Sequence, residues 1–237
     1  MANQRKAPEK PVTLNPRLFR ERNERYMRDV EFISAAKALE TLSSAWESLG
    51  ALYENPDPTL GRAGNALKFQ KAYTKAAERA KRDAQSAMER LTEAHAARVR
   101  RAEEAAGLHT MLPDHVAAEI RQVLRGMPEK ERSAAIRSAA LGGDASVLLA
   151  VRNSPSPMLT GAHNVPVDSL ARQMALQVDP ELDQYETSVS MAMDTVGNLY
   201  KKFTTTVDQK MRDAMGEDLA ASQSAAVAEA EGKLSAL

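Results

Sequence analysis

The residues that could do chemistry are few and scattered. The histidines are His95, His109, His115 and His163. No two of them stand four apart, and no HExxH or Glu-x-x-His element occurs, so no helix face offers a metal pair. His109 and His115 fall in and around an expected connection, where solvent or cap contacts would occupy them. Glu103 and Glu104 are neighbours and would point in different directions on a helix. Asp179, Glu181 and Asp183 crowd an expected helix start, where carboxylates complement the macrodipole. Gly142-Gly143-Asp144 resembles a phosphate loop superficially. It lacks both a P-loop lysine and a preceding strand, so it reads as a helix stop and cap. No G-x-S-x-G elbow and no Gly-rich dinucleotide fingerprint is present. Cysteine is absent, which removes thiolate chemistry and any disulfide framework. The residues therefore read as noncatalytic: no enzyme, no cofactor and no metal site is expected.

What does recur is basic. At 100° per residue, Lys68, Lys71, Lys75, Arg79 and Arg82 share one side of an expected helix, nearly opposite Phe69, Tyr73, Ala76, Ala80, Ala84, Ala87 and Leu91. Such a stripe suits an acidic partner or a run of phosphates. A solvated face opposite an apolar seam gives the same pattern. No aromatics are interleaved with it, so any nucleic-acid contact would be nonspecific.

Two apolar seams must position that stripe. Phe32, Ala35, Leu39, Leu42, Trp46, Leu49 and Tyr53 alternate spacings of three and four, as do Leu182, Tyr185, Val189, Ala192, Val196, Leu199 and Phe203. That is the pattern of helices burying one narrow stripe against other helices. The only tryptophan lies in the first seam, where a core role is expected. The two seams match in length, so an intramolecular bundle is their simplest use. After Phe203 the repeat changes phase, which alters local supercoiling.

Punctuation divides the chain. Residues 1–16 carry Arg5, Lys6 and Lys10 among three prolines and read as a flexible basic arm, or as one that docks on a neighbour. Residues 17–107 read as a long helical hairpin, broken at Asn55-Pro56-Asp57-Pro58. Residues 108–165 read as a smaller helical subdomain, with stops at Gly126 and Gly142-Gly143 and an Asp144 cap. Residues 166–215 would bring a long helix back to the bundle. Gly216 reads as a break before an Ala/Ser/Glu-rich tail, 216–237, marginal as a lone helix. The expected fold is all-α: an elongated bundle of three long helices with a small helical subdomain.

Composition fits association better than catalysis. Alanine-lined helices approach closely but bury little area each. Net charge is zero, yet residues 1–167 carry a net of +6 and residues 168–237 a net of −6. Front and back are complementary within a molecule or between copies. No uninterrupted apolar run approaches the ~20 residues of a membrane span. The polar start, Met-Ala-Asn-Gln-Arg-Lys, gives no expectation of a secretory signal.

One segment resembles a known pattern. Residues 131–161 run from an Ala-rich helix into Gly143-Asp144, then Leu148-Leu149-Ala150, Pro155, Leu159 and Gly161. This resembles uncharacterised helical proteins of bacteriophages and prophages. The resemblance covers about an eighth of the chain and carries over no functional residue. It implies a phage-encoded origin near virion genes. With the two matched seams, the opposite charge of the two ends and the lack of a catalytic constellation, the expectation is a structural or assembly protein of the virion, present in host cytoplasm during assembly. Its partners would be other copies of itself or other virion proteins. Two alternatives follow from the same helices: a nonspecific nucleic-acid-associated protein using the basic face, or an internal virion protein delivered to the host, where amphipathic helices would engage membrane.

Overall fold

The computed structural model describes residues 6–156, 159–212, 216 and 220. Among these the chain is all-α, with eight α-helices and no strand. They are α1 (Pro16–Arg22), α2 (Val30–Glu54), α3 (Arg62–Ala105), α4 (Asp114–Gly126), α5 (Glu129–Leu141), α6 (Ala145–Arg152), α7 (Val167–Val178) and α8 (Leu182–Phe203). The chain divides into two compact units, one of Met1–Thr92 with Ser188–Leu237, the other of Glu93–Thr187. The division falls within α3 and α8, not at the punctuation near 107 and 166.

In the first unit the two seams become core. Phe32, Leu39, Leu42, Trp46 and Leu49 of α2 are buried, as are Val189, Val196, Leu199 and Phe203 of α8. The seams meet where the Trp46 and Phe203 rings lie 6.4 Å apart, tilted by 57°. The α3 side of this core is Phe69, Tyr73, Ala80, Ala84, Ala87 and Leu91. Tyr53 and Phe69 pack edge to face across the α2–α3 turn.

Three details of this unit depart from the sequence reading. The expected continuous helix from residue 17 is two helices, because Asn23 stops the first. Its side-chain amide donates to the Phe19 carbonyl at 2.9 Å, a local bond that competes with helix continuation. A 3-10 turn, Glu24–Tyr26, follows and stacks Tyr26 on Phe32. The second departure is the arm. Residues 6–15 run along α2 instead of hanging free, and residues 1–5 lie outside the described residues. Trp46 Nε1 donates to the Pro8 carbonyl at 3.0 Å, the Ala7 amide donates to Glu54 Oε1 at 2.9 Å, and Lys10 reaches Glu47 and Ser43. Leu14 is fully buried. The prolines that suggested flexibility keep the segment extended, which lets it lie along a helix.

The third concerns the end of α8. The phase change after Phe203 is a π-helix, Thr204–Met211. Thr204 and Thr205 turn their hydroxyls onto the Lys201 carbonyl, each at 2.9 Å. These bonds compete for an acceptor that the helical ladder would use, and the wider turn keeps both Phe203 and Val207 buried. Gly216, read as a break, is itself helical, and so is Ala220. The rest of the tail lies outside the described residues.

The second unit is built on Leu108, Leu124, Ile136, Leu148, Leu170 and Met174. The last two belong to α7, so the small core recruits the helix that the sequence reading placed with the returning segment. A second cluster joins Leu182 to Ala102 and Ala175. Asp144 caps α6 by accepting from the Ser146 amide at 3.0 Å. Arg132 ties the loops together. Its guanidinium donates to the carbonyls of Leu124 (2.7 Å), Met127 (2.8 Å) and Gly161. Gly161 has φ +62°, a conformation that favours glycine, and a Cβ there would displace the Arg132 guanidinium.

Candidate functional site

Of the histidines, His109 is hydrogen-bonded, whereas His95 Nε2 is buried without a hydrogen-bond partner among the described residues. His109 Nε2 lies 2.9 Å from Glu103 Oε2, and His95 Nε2 lies 3.5 Å from Glu186 Oε1. His115 and His163 are exposed. Among the described residues no group of three His, Cys, Asp or Glu side chains is placed to hold a metal ion.

The acidic helix start at 179–183 has a partner that the sequence reading did not assign. Arg98 donates from Nε to Asp179 Oδ2 at 2.7 Å and from Nη2 to Asp179 Oδ1 at 2.9 Å. Its guanidinium also sits 4.5 Å above the Tyr185 ring, with Glu181 at 3.9 Å. The hydrogen bonds from Arg98, helped by its charge and by Arg101 and Arg172, hold the Asp179 carboxyl below its usual range. Arg172 pairs with Asp183 at 2.7 Å and with Glu186. The signal for this cluster was present: Arg98 stands on the apolar side of its helix, where a cation needs a carboxylate or an aromatic face.

The basic side of α3 is different, because most of it faces outward. Lys68, Lys71, Lys75, Arg79 and Arg82 are all exposed and lie on the part of α3 that belongs to the first unit. Fourteen residues of helix give this row a length of about 21 Å. The five are not equivalent. Lys68 is a loop staple: its ammonium lies 3.0 Å from Asp57 Oδ2. Asp57 also accepts from the Thr59 amide and hydroxyl, and Asn65 donates to the Asp57 and Leu60 carbonyls. The Thr59 hydroxyl first, then Lys68, brings the Asp57 carboxyl down to about 2. Arg79 lies 3.9 Å from Asp83, whose carboxylate also accepts from Thr41 Oγ1 at 2.7 Å. Lys71, Lys75 and Arg82 have no carboxylate within 4 Å among the described residues. An uncompensated cationic row on a rigid helix can attract anions by charge and by salt-bridge formation. It has no aromatic platform for bases.

Beside this row, α2 and α3 leave an open groove of about 480 Å³. Its floor includes Ser44, Ala45, Ala72 and Ala76, and Lys37, Lys75 and Arg79 stand on its walls. Ala76, read from periodicity as a seam residue, lines this groove. The remaining seam residues, Leu182 and Tyr185, are buried in the second unit, so the C-terminal seam serves two cores.

Comparison with protein-family models, with curated proteins and with solved structures gives no significant match.

Proposed function

We propose that this chain is a noncatalytic structural or assembly protein of a bacteriophage virion, acting through helix-mediated protein–protein contacts. The observation that carries the reading is the groove between α2 and α3, with a floor of small residues and cations on its walls. Its one carboxylate, Glu40, is paired with Arg20, which leaves Lys37, Lys75 and small side chains to meet a partner surface. The phage assignment rests on the resemblance of residues 131–161 and on the helical fold that accompanies it. In the same proposal, the three long helices form the bundle and the shorter ones a subdomain. No helix among the described residues is long and apolar enough to cross a membrane. Detection of the chain by mass spectrometry in purified phage particles tests the assignment, and its absence from particles and from assembly intermediates would overturn it.

One observation favours a second reading. Lys71, Lys75 and Arg82 form a cationic row with no carboxylate within 4 Å among the described residues, and such a row can track a phosphate backbone. A nonspecific nucleic-acid role predicts DNA binding that weakens steeply with salt. It also predicts loss of binding when all five basic residues of the row are changed to Gln. Binding unaffected by those changes would reject this alternative.

A further inference from the structure

The α2–α3 groove continues beyond its main basin. A second depression of about 280 Å³, which shares Lys37 with the first, extends it to Val30 and Ile33 on α2 and to Arg90 on α3. Val30 and Ile33 are exposed apolar side chains. From Val30 to Ser48 the groove follows eighteen residue steps of helix, about 27 Å. Its two carboxylates are already engaged, Glu40 with Arg20 and Asp83 with Thr41 and Arg79. Lys37, Lys75 and Arg90 have no carboxylate within 4 Å among the described residues, and they leave the walls positive.

Residues 217–237 have the complementary composition. Glu217, Asp218, Glu229 and Glu231 outnumber Lys233. At helical spacing Leu219, Val227, Ala230, Leu234 and Leu237 share one side, with Glu231 on one flank and Glu229 on the other. Twenty-one residues at helical rise span about 31 Å, which matches the groove. Small residues on the groove floor permit close approach of such a side, and acidic borders would meet the lysines on the walls.

The geometry points to a specific occupant: we propose that the α2–α3 groove of one copy receives the acidic segment 217–237 of a second copy. Docking of a copy's segment into its own groove is the competing outcome, and a chain carrying both thiols distinguishes it. The proposal deepens the assembly reading and rests on it, since it names which surfaces would join copies.

The chain has no cysteine, so introduced thiols report without background. Full-length Ala76→Cys and full-length Ala230→Cys, carrying different tags, are mixed and treated with a short bis-maleimide. A hetero-cross-linked dimer is expected, with its yield cut at least tenfold by Lys37→Glu plus Lys75→Glu. Reversal of the segment's charge (Glu217→Lys, Glu229→Lys and Glu231→Lys) should cut it equally, and combining the two reversals should restore it. Circular dichroism checks that each variant is folded. Lack of a cross-link, or one indifferent to both reversals, overturns the proposal. So does a chain carrying both thiols that closes only on itself. Light scattering of the unaltered chain separates the two ideas. An oligomer without the cross-link removes this groove assignment and leaves the assembly reading standing, whereas a strict monomer removes both.

Discussion

Replacing Arg98 by Met should destabilise the second unit through the loss of identifiable interactions. The side chains of Arg98 and Asp179 are 22% and 24% exposed, and two short hydrogen bonds join them. Hydrogen bonds to charged groups contribute about 1.5–3 kcal/mol net. The Arg98–Tyr185 contact at 4.5 Å adds about 0.5–1 kcal/mol. Met keeps most of the apolar stem, so the expected loss is about 2–4 kcal/mol. Asp179→Asn should cost about 1–2 kcal/mol, because the amide oxygen can still accept one bond. The pair's coupling energy in a double-mutant cycle should then be about 1–3 kcal/mol. Urea unfolding followed by far-ultraviolet circular dichroism measures each variant, with an unchanged m value confirming comparable transitions. The pH dependence supplies an independent check. The folded Asp179 carboxyl ionises below its usual range, so its contribution is complete above the unfolded value of about 3.9 and fades as pH falls through the folded one. The difference between the native chain and Asp179→Asn should be flat near neutrality and shrink below about pH 4. Additivity of the two substitutions to within about 0.5 kcal/mol would refute the argument.

Other substitutions probe separate parts of the fold. Phe203→Ala should cost about 3–5 kcal/mol and shift the emission of Trp46, its ring neighbour, to the red; an unchanged spectrum would contradict their packing. Gly161→Ala forces a non-glycine residue into left-handed backbone, costing about 1–2 kcal/mol, and displaces Arg132. Amide exchange around residues 124–128 should rise, and Arg132→Met should produce the same local pattern. Thr59→Ala should raise the Asp57 carboxyl from about 2 more than Lys68→Gln does, since the Thr59 hydroxyl is the larger cause. A carboxyl-detected NMR titration orders the two, and the reverse order would contradict the loop geometry.

The legible part of the fold was the part governed by periodicity. The seams Phe32–Tyr53 and Leu182–Phe203 announced two long helices because apolar side chains at three-four spacing have one economical use. Asp144 was equally readable as a cap, since a carboxylate before a helix start finds an unpaired amide. The phase change after Phe203 was visible too, but its form was not. Periodicity reports that a helix turns differently, whereas the hydroxyls of Thr204 and Thr205 determine where the ladder opens.

Features that depend on long-range partners stayed hidden. Composition marked residues 1–16 as an arm, yet Pro8 finds Trp46 and Lys10 finds Glu47 from 38 and 37 positions away. Arg98 stands on the apolar side of its helix, and its partner Asp179 lies 81 positions on. The basic row was legible as a set, and its internal division was not. Lys68 is committed to the α2–α3 loop, while Lys71, Lys75 and Arg82 are exposed with no carboxylate within 4 Å among the described residues. The groove could not be read at all. Alanine and serine at positions 44, 45, 72 and 76 are ordinary helix residues in sequence, and only the separation of α2 from α3 turns them into a floor.

The central claim is that this chain works by joining other chains through its helices. Sedimentation velocity of the purified full-length protein, from low to high micromolar concentration, tests that claim most directly. The account predicts a mass above that of one chain, falling toward the monomer on dilution and with rising salt. A single monomeric species across the whole range, indifferent to salt, would contradict it.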